Sequence, residues 1–238
     1  MVKNIKIGGL NISRMGLEET ANLVLRMAEK GKGLKIACCS LNDLMMTGQD
    51  IEFRKAIRKV DIRTTDGMPL VWFMRYKTGR GERVYGPDLM RKILSSKSKV
   101  LEKQAFIGDE KNKEYFKKIG EYIVLPFKDE FEKADYERVV NRIKKSRAKI
   151  VWVGLGSKKQ VIMADELSKK LNNKVYLTVG AAFDFLSGTK RQCPKLIRNM
   201  GGEWLFRWIT EPKRLTKRYL EIIKFVFNSG LKYINDKK

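Results

Sequence analysis

Asp66 stands where a β-prone run, Ile62 to Thr65, ends and an apolar helical pattern begins at Met68-Pro69. Gly67 follows it directly, so a carboxylate at the carboxyl end of a strand lies beside backbone that a ligand can approach closely. In open α/β sheets ligands bind at that edge. A carboxylate there is equipped to take a proton from a hydroxyl nucleophile. The same residue ahead of Gly-Met-Pro would also serve as a helix cap. Histidine is absent from all 238 residues, which excludes Ser-His-Asp triads and His-containing zinc sites. Any general base is therefore a carboxylate, or else a lysine, tyrosine or cysteine.

Two further segments carry the composition of ligand-facing turns. Val151 to Gln160 reads as a buried strand, a turn with Gly154 and Gly156, and a helix start, an arrangement that suits a phosphate. Lys159 occupies the third glycine position of a dinucleotide fingerprint and the Walker spacing is missing, so a plain strand–helix turn fits as well. Thr178 to Gly188 places Gly180, Ala181 and Ala182 after a strand and sets Asp184 between Phe183 and Phe185. It reads either as a ligand approach or as a tight strand exit with a satisfied carboxylate. No Asp-x-Asp pair occurs. Cys38, Cys39 and Cys193 lack C-x-x-C spacing, which argues against a disulfide framework or a metal knuckle.

The elements that must position these residues follow from periodicity. Ile5 to Ile12 is a short β segment, and Leu17 to Lys30 an amphipathic helix. Strands are expected at Leu34–Cys39, Asp61–Thr65, Gln104–Ile107, Tyr122–Leu125, Lys149–Val153 and Lys174–Val179. Between them fall helices at Asp43–Lys59, Met68–Tyr76, Pro87–Leu94, Lys111–Gly120, Tyr136–Lys145 and Lys159–Leu171. Short strands alternating with helices predict an α/β fold, a Rossmann-like, mostly parallel sheet covered on both faces. From Gly180 the alternation stops. The organisation expected is an α/β core over 1–188 and a basic, helical appendage over 189–238.

Charge is the anomaly of the composition: 51 Lys and Arg against 27 Asp and Glu leave a net +24. Such an excess calls for an anionic partner, whether nucleic acid, phosphorylated substrate or acidic membrane. The appendage localises it, since from Lys190 onward the acids are only Glu203, Glu211, Glu221 and Asp236. Leu215, Tyr219, Ile222 and Val226 form an apolar stripe there, beside Arg214, Lys217 and Arg218. No leader-like segment or uncharged spanning run is present, which predicts a cytoplasmic protein, at most attached to the inner face of the membrane.

Five ordered motifs together resemble the WecG/TagA/CpsF glycosyltransferase family. They are Thr65-Asp-Gly-Met-Pro, Glu82-Arg-Val-Tyr-Gly-Pro-Asp-Leu-Met, Val153-Gly-Leu-Gly-x-x-Lys-Gln, Val179-Gly-Ala-Ala-Phe-Asp-Phe-x-x-Gly and Glu203-Trp-Leu-Phe-Arg-x-x-x-Glu-Pro-x-Arg-Leu-x-x-Arg-Tyr-Leu. The resemblance implies that Asp66 is the catalytic base and that Arg83 and Gln160 lie at the donor sugar nucleotide. It puts Arg207, Arg214 and Lys217 on an appendage that completes the site at the membrane. Cys38, Ser40, Gly67, Gly154, Gly156, Gly180 and Asp184 are the other residues expected around the donor.

The implied reaction is inverting and metal-independent, without a cofactor. It moves a sugar from a UDP donor to a polyprenyl-diphosphate-linked saccharide of a cell-surface polymer such as teichoic acid. UDP-N-acetylmannosamine is the donor expected, with UDP-glucose or a UDP-uronic acid as alternatives. A homo-oligomer is a further expectation. Two departures bear on the donor: Cys38-Cys39-Ser40 stands where relatives commonly read Thr-Pro-Asn, and Lys158 and Val161 replace a Pro and a Glu around Gln160. The rivals are a basic nucleic-acid-binding protein, resting on charge alone, and an inactive scaffold with the same fold.

Overall fold

The computed structural model describes residues 3–126, 128 and 130–235, and the backbone alone for helical residues beyond 228. Two short strands open the chain, β1 (Asn4–Ile7) and β2 (Leu10–Ser13), followed by α1 (Leu17–Glu29). The predicted β segment is thus a hairpin, turned at Gly8-Gly9 and separate from the main sheet. Next come β3 (Leu34–Cys39), α2 (Leu41–Gln49), α3 (Ile51–Arg58), β4 (Ile62–Thr65), α4 (Met68–Thr78) and α5 (Gly86–Leu94). The single helix expected over Asp43–Lys59 is two. Asp50 adopts extended backbone, closes α2 and caps α3 by accepting from the Phe53 N–H at 2.8 Å.

The second half runs β5 (Gln104–Gly108), α6 (Lys113–Phe116), β6 (Glu121–Val124), α7 (Lys133–Ser146), β7 (Ile150–Val153), α8 (Ser157–Lys170) and β8 (Val175–Thr178). The helix expected over Lys111–Gly120 shrinks to one α turn preceded by a 3₁₀ turn. Three short helices follow, α9 (Ala182–Leu186), α10 (Lys195–Asn199) and α11 (Glu203–Thr210), and then the long α12 (Pro212–Asn235).

Six strands pair in parallel in the order β4-β3-β8-β7-β5-β6, as the alternation of strands and helices predicts. Their side chains divide between two cores by the two-residue period of a strand. Phe106, Trp152 and Leu177 pack under α1 and α5, while Ile107, Val151 and Tyr176 pack under α7 and α8. A third cluster joins the hairpin, α2, α3 and α4 through Ile12, Leu44, Phe53 and Met74. Trp152 is fully buried and its indole N–H donates to Gln104 Oε1 at 3.0 Å, so the polar edge of the ring is satisfied. Because the strands are parallel, all six carboxyl ends lie along one edge, where Asp66, Gly154 and Gly180 leave the sheet. Among the described residues, no helix is long and apolar enough to cross a membrane.

Candidate active site

At that edge a pocket of about 390 Å³ opens between the sheet and the last two helices. Its floor is the β3–α2 turn (Ser40, Leu41, Asn42) and the β4–α4 turn (Asp66 to Pro69), with Arg83 beside them. Glu203, Trp204 and Arg207 of α11 form one wall. Leu215, Arg218, Tyr219, Ile222, Ile223, Val226 and Phe227 of α12 form the other. The apolar stripe of α12 therefore turns inward: Leu215 is buried, Tyr219 and Ile222 are half-buried, and Phe225 reaches the cluster around Leu44 and Phe53. Val226, the fourth residue of the expected stripe, remains exposed, as do Leu220, Ile223 and Phe227.

Asp66 does not cap α4, whose N-cap is Gly67 and lacks a side-chain bond. Its main-chain N–H donates to Cys39 O at 2.8 Å, which fixes it across β3. Its Oδ1 accepts from the Gly86 N–H at 2.7 Å, at the first residue of α5. Gly86 sits so close to β8 that an added Cβ would lie 2.6 Å from Val179 O. Burial pushes the Asp66 carboxyl up to about 7; Arg83 pulls against that rise, while the charge of Glu203 adds to it. A carboxylate with that affinity is poised to exchange a proton near neutrality.

Arg83 is held on three sides. Its Nε donates to Asp66 O, its Nη2 pairs with Glu203 Oε2 at 2.6 Å, and its guanidinium lies 4.1 Å from the centroid of the Tyr85 ring. Tyr85 in turn donates its hydroxyl to Glu203 Oε1 at 2.8 Å. Arg198 of α10 approaches the same ring at 4.9 Å and pairs with Asp88 at 3.4 Å. This cluster fastens α10 and α11 to the core. Periodicity and composition do not mark Tyr85 or Arg198 as functional, and the one signal for Glu203 is an acid opening a motif otherwise rich in aromatics and cations.

Opposite Asp66, Arg207 and Arg218 face the pocket. The Nε of Arg207 is buried without a hydrogen-bond partner. Partial burial, and the nearby charges of Arg214 and Arg207, hold the Arg218 guanidinium below its ordinary range. Cations gathered this way favour an anion between them. Arg214 and Lys217 are exposed and do not line the pocket. Arg214 pairs with Glu211 at 2.6 Å, and with Lys190 it holds that carboxyl down to about 2.

Of the remaining sequence-predicted residues, Ser40 and Gly67 line this pocket, whereas Cys38, Gly154, Gly156, Gln160, Gly180 and Asp184 lie along the edge outside it. Gln160 and Gly180 meet directly: the Gly180 N–H donates to Gln160 Oε1 at 3.1 Å. Gly180 and Gly156 adopt φ of 60° and 85°, a region that favours glycine, so the backbone alone explains the residue type. Gly154 has a packing reason, because an added Cβ would lie 2.8 Å from the Phe183 ring. The first residue of α8 is already engaged, as Ser157 Oγ donates to the buried Asp43 carboxylate. Ser40 donates to that carboxylate through both its N–H and its hydroxyl, each at 2.8 Å. Burial raises the Cys38 thiol well above its ordinary range, and the residue sits under the turn without reaching the pocket. Asp184 is held by Asn112 Nδ2 at 3.0 Å, Lys111 at 3.1 Å and Lys190 at 3.5 Å. That is the satisfied-carboxylate alternative of the sequence reading. Gly67 differs from the other glycines: at φ −90°, with neighbours no nearer than 3.7 Å to an added Cβ, neither backbone nor packing requires it. Its smallness opens the pocket floor next to Asp66.

A buried carboxylate whose proton affinity is raised, in one pocket with Arg218 and with Arg207, whose Nε is unsatisfied, at the carboxyl edge of a parallel sheet, suits group transfer with anionic substrates. Residues 5–238 match the model of the WecG/TagA/CpsF glycosyltransferase family, and the chain belongs to that family. It is a glycosyltransferase of cell-surface polymer synthesis, working on a nucleotide-sugar donor and a lipid-linked acceptor.

Proposed function

We propose that the protein is an inverting, metal-independent transferase that moves N-acetylmannosamine from UDP to a saccharide on a polyprenyl diphosphate. The observation that carries this reading is Asp66, with its elevated proton affinity at the pocket floor. The acceptor hydroxyl oxygen bonds to the anomeric carbon from the face opposite UDP, and its proton passes to Asp66. The bond from the anomeric carbon to the phosphate oxygen breaks, and UDP leaves with the electron pair. Arg207 and Arg218 counter the charge that develops on the diphosphate. Glu203, the second pocket carboxylate, is committed to Arg83 and Tyr85, which leaves one free base and favours direct displacement.

The departures at Cys38-Cys39-Ser40, Lys158 and Val161 keep UDP-glucose and a UDP-uronic acid as competing donors. Attachment to the inner face of an anionic membrane accounts for the outward face of the appendage. Ile209 and Leu220 are exposed there among Lys213, Lys217 and Lys224, and Ile223 and Phe227 of the pocket wall are exposed as well. Transfer from the three UDP sugars to a short prenyl-diphosphate-linked saccharide tests the assignment, with NMR of the product's anomeric centre. Transfer with inversion from one of them is expected. Retention, or no transfer from any, would overturn the reading.

A further inference from the structure

Two carboxylates and one arginine meet at the pocket floor, and they come from segments far apart in sequence. Asp66 leaves β4, Arg83 lies ahead of α5, and Glu203 arrives with α11. Arg83 reaches Asp66 only at its main-chain oxygen, while its Nη2 is spent on Glu203 at 2.6 Å. Tyr85 secures the other oxygen of Glu203 at 2.8 Å and stacks under the guanidinium. The side chains of Arg83 and Glu203 are 16% and 12% exposed, so the pair is shielded from competing water and salt.

We propose that Glu203 is a positioning residue for the transfer reaction: it draws the Arg83 cation away from the Asp66 carboxylate and so keeps that carboxylate available as a proton acceptor. The proposal rests on the reading of Asp66 as the base. An arginine free to turn onto Asp66 would form an ion pair with it and make it a poor base. The helix that walls the pocket thus also supplies the residue that keeps the base competent, and the base is ready only when α11 is docked. The other groups facing Asp66 are Cys38 of β3, Asp43 of α2 and Tyr85. Cys38 and Tyr85 are pushed further into their neutral forms by burial, and Asp43 is fixed by Ser40 and Ser157. Arg83 is thus the cation at Asp66, and Glu203 its counter-charge.

The test follows the Asp66 carboxyl by ¹³C NMR in the full chain, without substrate, its signal identified by loss in Asp66→Asn. The midpoint is expected near the elevated value in the wild type and roughly one to three units lower in Glu203→Gln, the usual effect of an arginine beside a carboxylate. Simple undocking of α11 would also lower it, by letting water in. The double variant Glu203→Gln/Arg83→Met separates the two. With the cation gone, the midpoint is expected to return to the wild-type value or above. An unmoved midpoint in Glu203→Gln, or a double variant as low as the single one, would overturn the proposal. In transfer assays with UDP-N-acetylmannosamine, Glu203→Gln should lower kcat more than it changes the donor KM. It should also shift the acid limb of the pH profile downward. If Asp66→Asn still transfers sugar, the reading of the base is wrong, whatever the NMR midpoints show.

Discussion

Replacing Asp66 with asparagine should make the protein more stable and nearly inactive, and the gain in stability should depend on pH. The carboxyl binds its proton up to about 7 in the folded chain, against 3.8 for the ordinary group. Below the ordinary value both folded and unfolded chains are protonated, and the group contributes nothing to the pH dependence. As pH rises toward 7 the unfolded chain ionises first, so the folded state binds more protons and loses stability over that window. The full difference, roughly three pKa units, is worth about 4 kcal/mol at pH 8 as an upper limit. If relaxation and water entry absorb half, ~2 kcal/mol remains, a Tm gain of about 4–8 °C for a chain of this size. Asparagine keeps an oxygen to accept the Gly86 N–H, so that bond can survive the change. Thermal unfolding of both proteins between pH 4 and 8 measures the gain, which should vanish toward pH 4. Transfer at pH 8 should fall roughly 10²–10⁴-fold, the usual contribution of a positioned base. A pH-independent Tm difference, or turnover near that of the wild type, would refute the assignment.

In the wild type, the rate of transfer should rise with pH through an apparent pKa near 7, since activity requires the ionised Asp66. A flat profile from pH 5 to 8 would contradict that. Arg207→Ala and Arg218→Ala should each weaken UDP binding roughly tenfold or more in calorimetry, with a smaller salt dependence than the wild type. Excess EDTA should leave transfer unchanged, because no Asp-x-Asp pair or histidine is present to hold a metal with the donor; loss restored by Mg²⁺ or Mn²⁺ would count against this. Truncation after Gly188 should abolish both binding to anionic vesicles and transfer, and full activity of the truncated chain would remove the appendage from the site.

The sheet was legible because its strands are short, apolar and separated by helices, and a buried parallel strand needs nothing more to be recognised. Helix ends were harder. Asp50 interrupts a continuous helical pattern because its side chain competes for the Phe53 N–H, and that choice turns on local backbone geometry rather than periodicity. Asp66 stood out because a strand end and a glycine marked it. Gly154 and Gly156 looked like a phosphate turn for the same reason. In the fold one is small for the Phe183 ring and the other for its own φ. Composition cannot separate a glycine that admits a ligand from one that admits a neighbouring side chain, since both need only the missing Cβ. Glu203 shows the opposite limit. It lies 120 residues from Arg83, and in sequence it is one acid in a basic tail. Only when α11 folds back across the sheet edge does it meet Arg83 and Tyr85, and only there does its charge bear on Asp66. A catalytic group's residue type and strand position can be read locally. The charges that tune it come from wherever the chain returns, so they belong to the topology.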